Sequence, residues 1–142
     1  MTPEEKKLLL IDLCARLPYE VLVKCSDTEG TIIYDGYRLH EISEDGSYLA
    51  LSAVDIPHGV GNLDLEFCDI KPYLRPMSSM TEEEIKELES ISRTIAISGV
   101  GDWYKWLVIN PVFVDWLNAH HFDYRGLIDK GLALEASEGM YK

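Results

Sequence analysis

Positive charge is nearly missing from the middle of this chain. Between Asp27 and Asp69 the only base is Arg38, against ten carboxylates: Asp27, Glu29, Asp35, Glu41, Glu44, Asp45, Asp55, Asp64, Glu66 and Asp69. Over all 142 residues there are 13 Lys and Arg against 25 Asp and Glu, a formal net charge of -12. Such a surface repels nucleic-acid phosphates, so direct DNA or RNA binding is not expected and a basic protein partner is favoured. Long apolar runs are missing too: no stretch approaches ~18 apolar residues without a charge, and no membrane-spanning helix is expected. The opening MTPEEKK is charged and the apolar run Leu8 to Ile11 is short for a secretory signal core, which points to the cytoplasm. Cysteine is sparse. Cys14, Cys25 and Cys68 are odd in number and widely separated, as expected of free thiols buried as small apolar residues in a reducing compartment.

Catalytic signatures are equally scarce. There is no G-x-S-x-G elbow, and no cysteine stands in a known nucleophile context. Gly59-Val60-Gly61 and Gly99-Val100-Gly101 lack the third glycine of a dinucleotide fingerprint and the lysine of a phosphate loop, so both read as turns. His120 and His121 are adjacent, which on a helix points them ~100° apart, whereas helical zinc ligands are spaced by four. No metal and no cofactor is expected. The carboxylates are too numerous for any acid/base pairing to be informative.

What is present describes a globular chain, 46% hydrophobic and 27% charged, of a length that fits one domain over residues 1–142. Thr2, Pro3 and Glu5 form an N-cap, a first helical proline and a capping box. The helix they open should run toward Leu17, turn Leu10, Leu13, Cys14 and Leu17 inward, and stop at Pro18. The period then changes from 3.6 to 2. Val21, Val23 and Cys25 alternate in a half-buried strand. Glu29-Gly30 marks a turn, Thr31 to Tyr34 and Tyr37 to Ile42 are strand-like about a bend at Asp35 and Gly36, and Asp45-Gly46 signals a two-residue hairpin before Ser47 to Val54. Leu63, Leu65 and Phe67 alternate in a further strand, and Pro72 and Pro76 bracket a non-helical linker. Met80, Thr81, Glu84 and Ile85 open a second helix with a capping box and a hydrophobic staple. Its inward face is Ile85, Leu88, Ser92 and Ile95, its outward face Glu82, Glu83, Glu87 and Glu89, and its end lies at Gly99 and Gly101. Asn110-Pro111 starts a third helix through Phe113, Trp116 and Leu117 to His120, and Asp123 caps a short last helix ending near Gly131. The fold class is α+β: an N-terminal helix, a four- or five-stranded antiparallel sheet, barrel-like or laid against helices, then two or three C-terminal helices.

Three phrases carry a resemblance: LCARLPY at Leu13 to Tyr19, KPYLRPMSSMTEEE at Lys71 to Glu84, and DYRGLI at Asp123 to Ile128. They resemble a set of small uncharacterised proteins of anaerobic gut bacteria and of the phages and mobile elements those bacteria carry. The resemblance implies a phage or mobile-element origin and a cytoplasmic site of action, and it transfers no catalytic residue.

Three functions remain in order. The first is a non-enzymatic interaction protein, a phage or mobile-element accessory factor that binds a basic host protein through an acidic face of Glu41, Glu44, Asp64 and Glu66. The second is a binder of a nucleotide-like small molecule. Its candidate residues are Trp103, Trp106, His120, His121 and Arg125, since aromatic rings stack on bases and the basic groups meet phosphate. An enzyme comes last. Around His121, a helix-ending turn with a solvated imidazole is expected, with Arg125 paired locally to Asp123.

Overall fold

The computed structural model describes residues 1–52, 59–64, 68–92 and 111–141. Helix α1 spans Pro3–Arg16. Thr2 caps it: the Glu5 amide donates to Thr2 Oγ1 at 3.1 Å and the Thr2 amide to Glu5 Oε2 at 2.8 Å, the reciprocal box that the sequence announces. The face that α1 buries is not the expected one. Leu9, Asp12, Leu13 and Arg16 point inward and Cys14 is exposed, so the helix is rotated by about one residue from the stripe Leu10, Leu13, Cys14, Leu17. Two ionised side chains at i, i+4 spacing lie inside the apolar stripe and stay there because they pair with each other.

A short 3₁₀ turn, Leu17–Tyr19, leads into β1 (Leu22–Asp27) and β2 (Ile32–Ile42), followed by β3 (Tyr48–Ser52), β4 (Gly59–Asp64) and β5 (Cys68–Leu74). Val21, Val23 and Cys25 are buried as the alternation requires. The expected bend at Asp35 and Gly36 proves to be a bulge within one continuous strand. Val23 faces Tyr37 while Lys24 faces Asp35, which leaves Gly36 as the extra residue at φ 72°. The expected two-residue hairpin is instead the five-residue loop 43–47. Asp45 is responsible, since its Oδ1 accepts from the Ser47 amide (3.0 Å), Ser47 Oγ (2.6 Å) and Ser43 Oγ (2.9 Å) and so draws both loop ends toward itself.

The strand order is β4-β3-β2-β1-β5-β6, where β6 is only Leu134–Glu135. All pairings are antiparallel except the last, β5 with β6, which makes the sheet mixed rather than antiparallel throughout. Nor is it a closed barrel: no ladder joins β4 to β5 among the described residues. It must nevertheless curl. Arg38 pairs with Leu22 of β1 and with Ser52 of β3, so β1 occupies the first half of β2 and β3 the second. Asp64 then lies at the Ile42 end of β2 and Cys68 at the Ile32 end, about 33 Å apart along a straight strand. Four residue steps reach only about 14 Å, so the sheet bends its far corners toward each other.

Of the strand expected over Leu63 to Cys68, Leu63 and Asp64 fall in β4 and Cys68 in β5, while Leu65, Glu66 and Phe67 lie outside the described residues. The linker expected from Pro72 to Pro76 begins instead as strand. Pro72 faces Val23, and on its other side β6 pairs only from Tyr73 onward, so the missing proline N–H disturbs little of the ladder.

Helix α2 (Glu82–Ser92) carries its box as read, with the Thr81 amide donating to Glu84 Oε1 (3.0 Å) and the Glu84 amide to Thr81 Oγ1 (3.2 Å). Leu88 is buried, and Glu82, Glu83, Glu87 and Glu89 are exposed. Ile95, Gly99 and Gly101 lie outside the described residues, as do Trp103, Tyr104 and Trp106. Helix α3 (Pro111–Ala119) follows. The short last helix is absent. Asp123 instead accepts from the Leu127 and Ile128 amides at 2.8 and 2.9 Å and closes a non-helical turn, because its two oxygens take the donors that would have continued a helix. One core cluster lies between α1 and the sheet, around Leu9, Leu13, Val23, Leu51 and Ile70. A second gathers Leu88, Phe113, Trp116, Leu117 and Phe122.

Gly46 fixes the loop against α1. It holds φ 72°, and a Cβ there would meet Leu10 Cδ1 at 3.1 Å. Gly30 has φ 87° with nothing near its missing Cβ, and so isolates the backbone term. Both alanine variants should lose about 1 kcal/mol from the positive φ, and Gly46→Ala should lose more through the Leu10 contact. Equal urea midpoints for the two variants would show that the loop does not rest on α1.

Candidate functional site

The segments Leu13 to Tyr19, Lys71 to Glu84 and Asp123 to Ile128 meet beside Phe122. Arg16, from the first, donates through Nε to Asp12 Oδ2 at 2.8 Å and through Nη2 to Asp12 Oδ1 at 3.1 Å; both side chains are fully buried. Its Nη2 also donates to the Phe122 carbonyl at 2.6 Å. Arg75, from the second, lies over the Phe122 ring at 4.2 Å and forms a two-pronged pair with Glu84 at 2.7 and 2.8 Å. From the third, Arg125 Nη1 donates to Asp12 Oδ1 at 2.8 Å. The backbone seals the junction: the Arg75 amide donates to the His121 carbonyl at 2.7 Å, and the Asp123 amide to the Arg75 carbonyl at 2.8 Å. Arg16, Arg75 and Arg125 thus stand among Asp12, Glu84 and Asp123, three cations with three carboxylates.

This arrangement absorbs most of the residues proposed for ligand binding. Arg125 is tied to Asp12 on α1 rather than to Asp123, whose oxygens are taken by backbone amides. His121 is buried rather than solvated; it ends α3 in the left-handed region at φ 61° and stacks on Tyr141 at 3.6 Å. Burial, reinforced by the guanidinium charges of Arg16 and Arg75 and by the neighbouring His120, pushes its imidazole down to about 3. His120 stacks on Trp116 at 3.9 Å, with Nδ1 2.9 Å from the Trp116 carbonyl. Trp103 and Trp106 lie outside the described residues. Phe113, Trp116 and Phe122 are core. The Tyr141 hydroxyl accepts from the Leu22 amide (2.9 Å) and donates to the Tyr73 carbonyl (2.6 Å), fastening the end of the described chain to β1 and β5.

The acidic face is arranged differently. Glu41 on β2 and Glu44 in the 43–47 loop are exposed. Asp64 is half-buried at the end of β4, opposite Tyr48, and Glu66 lies outside the described residues. Asp45, treated in the sequence only as a turn residue, is exposed beside Glu44. The hydrogen bonds from the Ser47 and Ser43 side chains and the Ser47 amide hold its carboxyl down at about 2, so it stays ionised at any ordinary pH.

Beside this loop runs a groove of about 580 Å³, between the outer face of α1 and the β2–β3 turn. Leu10, Ile11 and Ile42 contribute its apolar lining; Lys6 and Lys7 stand on the α1 side and Glu44 and Asp45 on the loop side. The sequence reading missed this groove. The available signal was an excess of apolar residues on α1: Leu8, Leu9, Leu10, Ile11, Leu13 and Cys14 are too many for one stripe.

The cysteines divide. Cys25 is buried as expected, but Cys68 is half-buried and Cys14 exposed. Burial, with the neighbouring Cys68 thiol, pushes Cys25 up to about 12, which leaves it inert at neutral pH. Among the described residues no group of three or more His, Cys, Asp or Glu is placed to hold a metal ion, and no helix is long and apolar enough to cross a membrane. Compared with known protein families, curated proteins and solved structures, the chain matches none.

Two predictions follow from the polar junction. Asp12→Ala leaves the buried Arg16 without its carboxylate and should cost about 3–5 kcal/mol in chemical unfolding, while the pair Asp12→Leu with Arg16→Met should recover much of it. A loss below about 1 kcal/mol for Asp12→Ala would mean the pair is solvated.

Acid should act in two stages. An unfolded histidine titrates near 6.5, so the contribution of a neutral His121 is complete above that pH and is lost as pH falls toward about 3. Glu84, held at about 2 chiefly by the Arg75 hydrogen bonds, contributes fully above 4.5 and loses its share as pH falls through about 2. His121→Phe should therefore flatten the stability profile between pH 6.5 and 4.5 and make the loss from 4.5 to about 3 shallower, leaving the Glu84 contribution in place. An unchanged profile in that window would show that His121 titrates as a solvated imidazole.

Proposed function

We propose that this protein is a non-enzymatic interaction protein, a cytoplasmic accessory factor of phage or mobile-element origin, that binds a basic host protein through the acidic end of its β2–β3 hairpin. One observation carries the reading. Glu41, Glu44 and Asp45 are exposed at one end of the hairpin, where the Ser43–Asp45–Ser47 hydrogen bonds hold the loop in place. Of the residues of the ligand-binding alternative, His121 is stacked against Tyr141 and Arg125 is paired with Asp12, while Trp103 and Trp106 lie outside the described residues. Carboxylates presented on a preordered loop lose little freedom on binding, and they steer a cationic partner from a distance.

Asp64 is half-buried, and its reversal would disturb β4, so the test uses the exposed residues. Glu41→Lys, Glu44→Lys and Asp45→Asn together, the asparagine keeping the Oδ1 acceptor for Ser43 and Ser47, should leave the unfolding free energy within about 2 kcal/mol of the parent, taking ~0.5 kcal/mol per surface change. The variant should no longer capture the host protein that the parent retains. Capture by the parent should weaken steeply above ~0.15 M salt, where the screening length is ~8 Å. A folded triple variant that retains the same protein with the same salt response would remove the acidic loop from the interaction.

A further inference from the structure

The acidic loop borders an apolar groove, and the two features together describe an occupant. Ile11 is 47% exposed in the middle of α1. With Leu10 and Ile42 it offers an apolar lining that charge recognition alone does not require. The side walls are of opposite sign, Lys6 and Lys7 on one and Glu44 and Asp45 on the other. The groove is shallow and open to solvent, with a volume of about 580 Å³. It suits a few side chains of a partner rather than the face of a folded domain. A second copy of this chain would bring another net charge of -12 to the same surface, whereas a cationic occupant is attracted to it.

We propose that the groove between α1 and the β2–β3 turn is a docking site for a short basic amphipathic segment, whose aliphatic side chains enter between Leu10, Ile11 and Ile42 while its lysines or arginines meet Glu44 and Asp45. The proposal rests on the acidic-loop reading above and specifies what that loop recognises. Lys6 and Lys7 on the opposite wall disfavour a segment that is basic all round and so fix which side of it faces the loop.

Cys14 lines the same groove and is exposed, so its alkylation by a maleimide reports occupancy directly. Three fluorescent probes of equal length serve: a leucine–lysine peptide with its leucines at helical spacing, the same composition scrambled to destroy the apolar face, and an oligolysine. The amphipathic probe should bind saturably and slow Cys14 alkylation about tenfold, with the other two binding at least about tenfold more weakly. Ile11→Asp, or the milder Ile11→Ser should the aspartate variant not fold, should abolish the preference for the amphipathic probe. Glu44→Lys with Asp45→Asn should weaken its binding and make the remainder insensitive to salt. If oligolysine binds as tightly as the amphipathic probe and Ile11 variants change nothing, the loop reads charge alone: the groove proposal is overturned and the acidic-loop reading stands. If no probe binds or protects Cys14, both are overturned.

Discussion

The buried pair of Asp12 with Arg16 is the interaction on which the rest of this structure depends. Two ions in a low-dielectric interior are tolerated only when most donors and acceptors are matched; among the described residues Arg16 Nη1 has no hydrogen-bond partner, and the other matches come from distant parts of the chain. Arg16 reaches the Phe122 carbonyl, and Arg125 supplies a second cation to Asp12. Removing any one of these groups strands another. The pair therefore acts less as a source of net stability than as a constraint on arrangement: α1 can adopt only the rotation that brings Asp12 and Arg16 to the His121–Arg125 turn.

That rotation has consequences on both sides of the helix. Inward, Leu9 and Leu13 join the sheet core. Outward, Leu10, Ile11 and Cys14 are left along the β2–β3 turn, and Gly46 closes on Leu10 to form the groove. The docking surface proposed here is thus a by-product of the internal ion pair. A helix that buried Leu10 and Cys14 would have no such groove.

The same constraint separates structural from functional polarity. His121 and Arg125 look in sequence like ligand-binding residues, yet His121 is buried against the Tyr141 ring and Arg125 is paired with Asp12. Asp45 is held by the Ser43 and Ser47 hydroxyls and the Ser47 amide, and Glu44 beside it is exposed. Their negative charge remains available to a partner, which is why charge, rather than catalytic chemistry, carries the functional reading.

Local features were legible in the sequence where their physics is local. The capping boxes at Thr2 and Thr81 depend on residues three apart, the alternation of Val21, Val23 and Cys25 on one strand, and the start of α3 on Pro111, and each stands as read. Asp45-Gly46 announced a turn but not its length, because the length is set by side-chain hydrogen bonds to Ser43 and Ser47 that compete with the two-residue loop. The places of β4 beside β3 and of β5 beside β1, the parallel β6 and the missing last helix needed tertiary structure, since each depends on a partner strand or on backbone donors far from any local pattern. The site divided in the same way. Composition alone determined that the surface is acidic, because there are too few bases to neutralise it wherever they fold. Which carboxylates face solvent, which histidine and arginine are engaged inside, and that a groove lies beside the acidic loop were decided only when Asp12 and Arg16 found Phe122 and Arg125, more than a hundred residues away, since a buried charge takes its place from its partners and not from its neighbours in sequence.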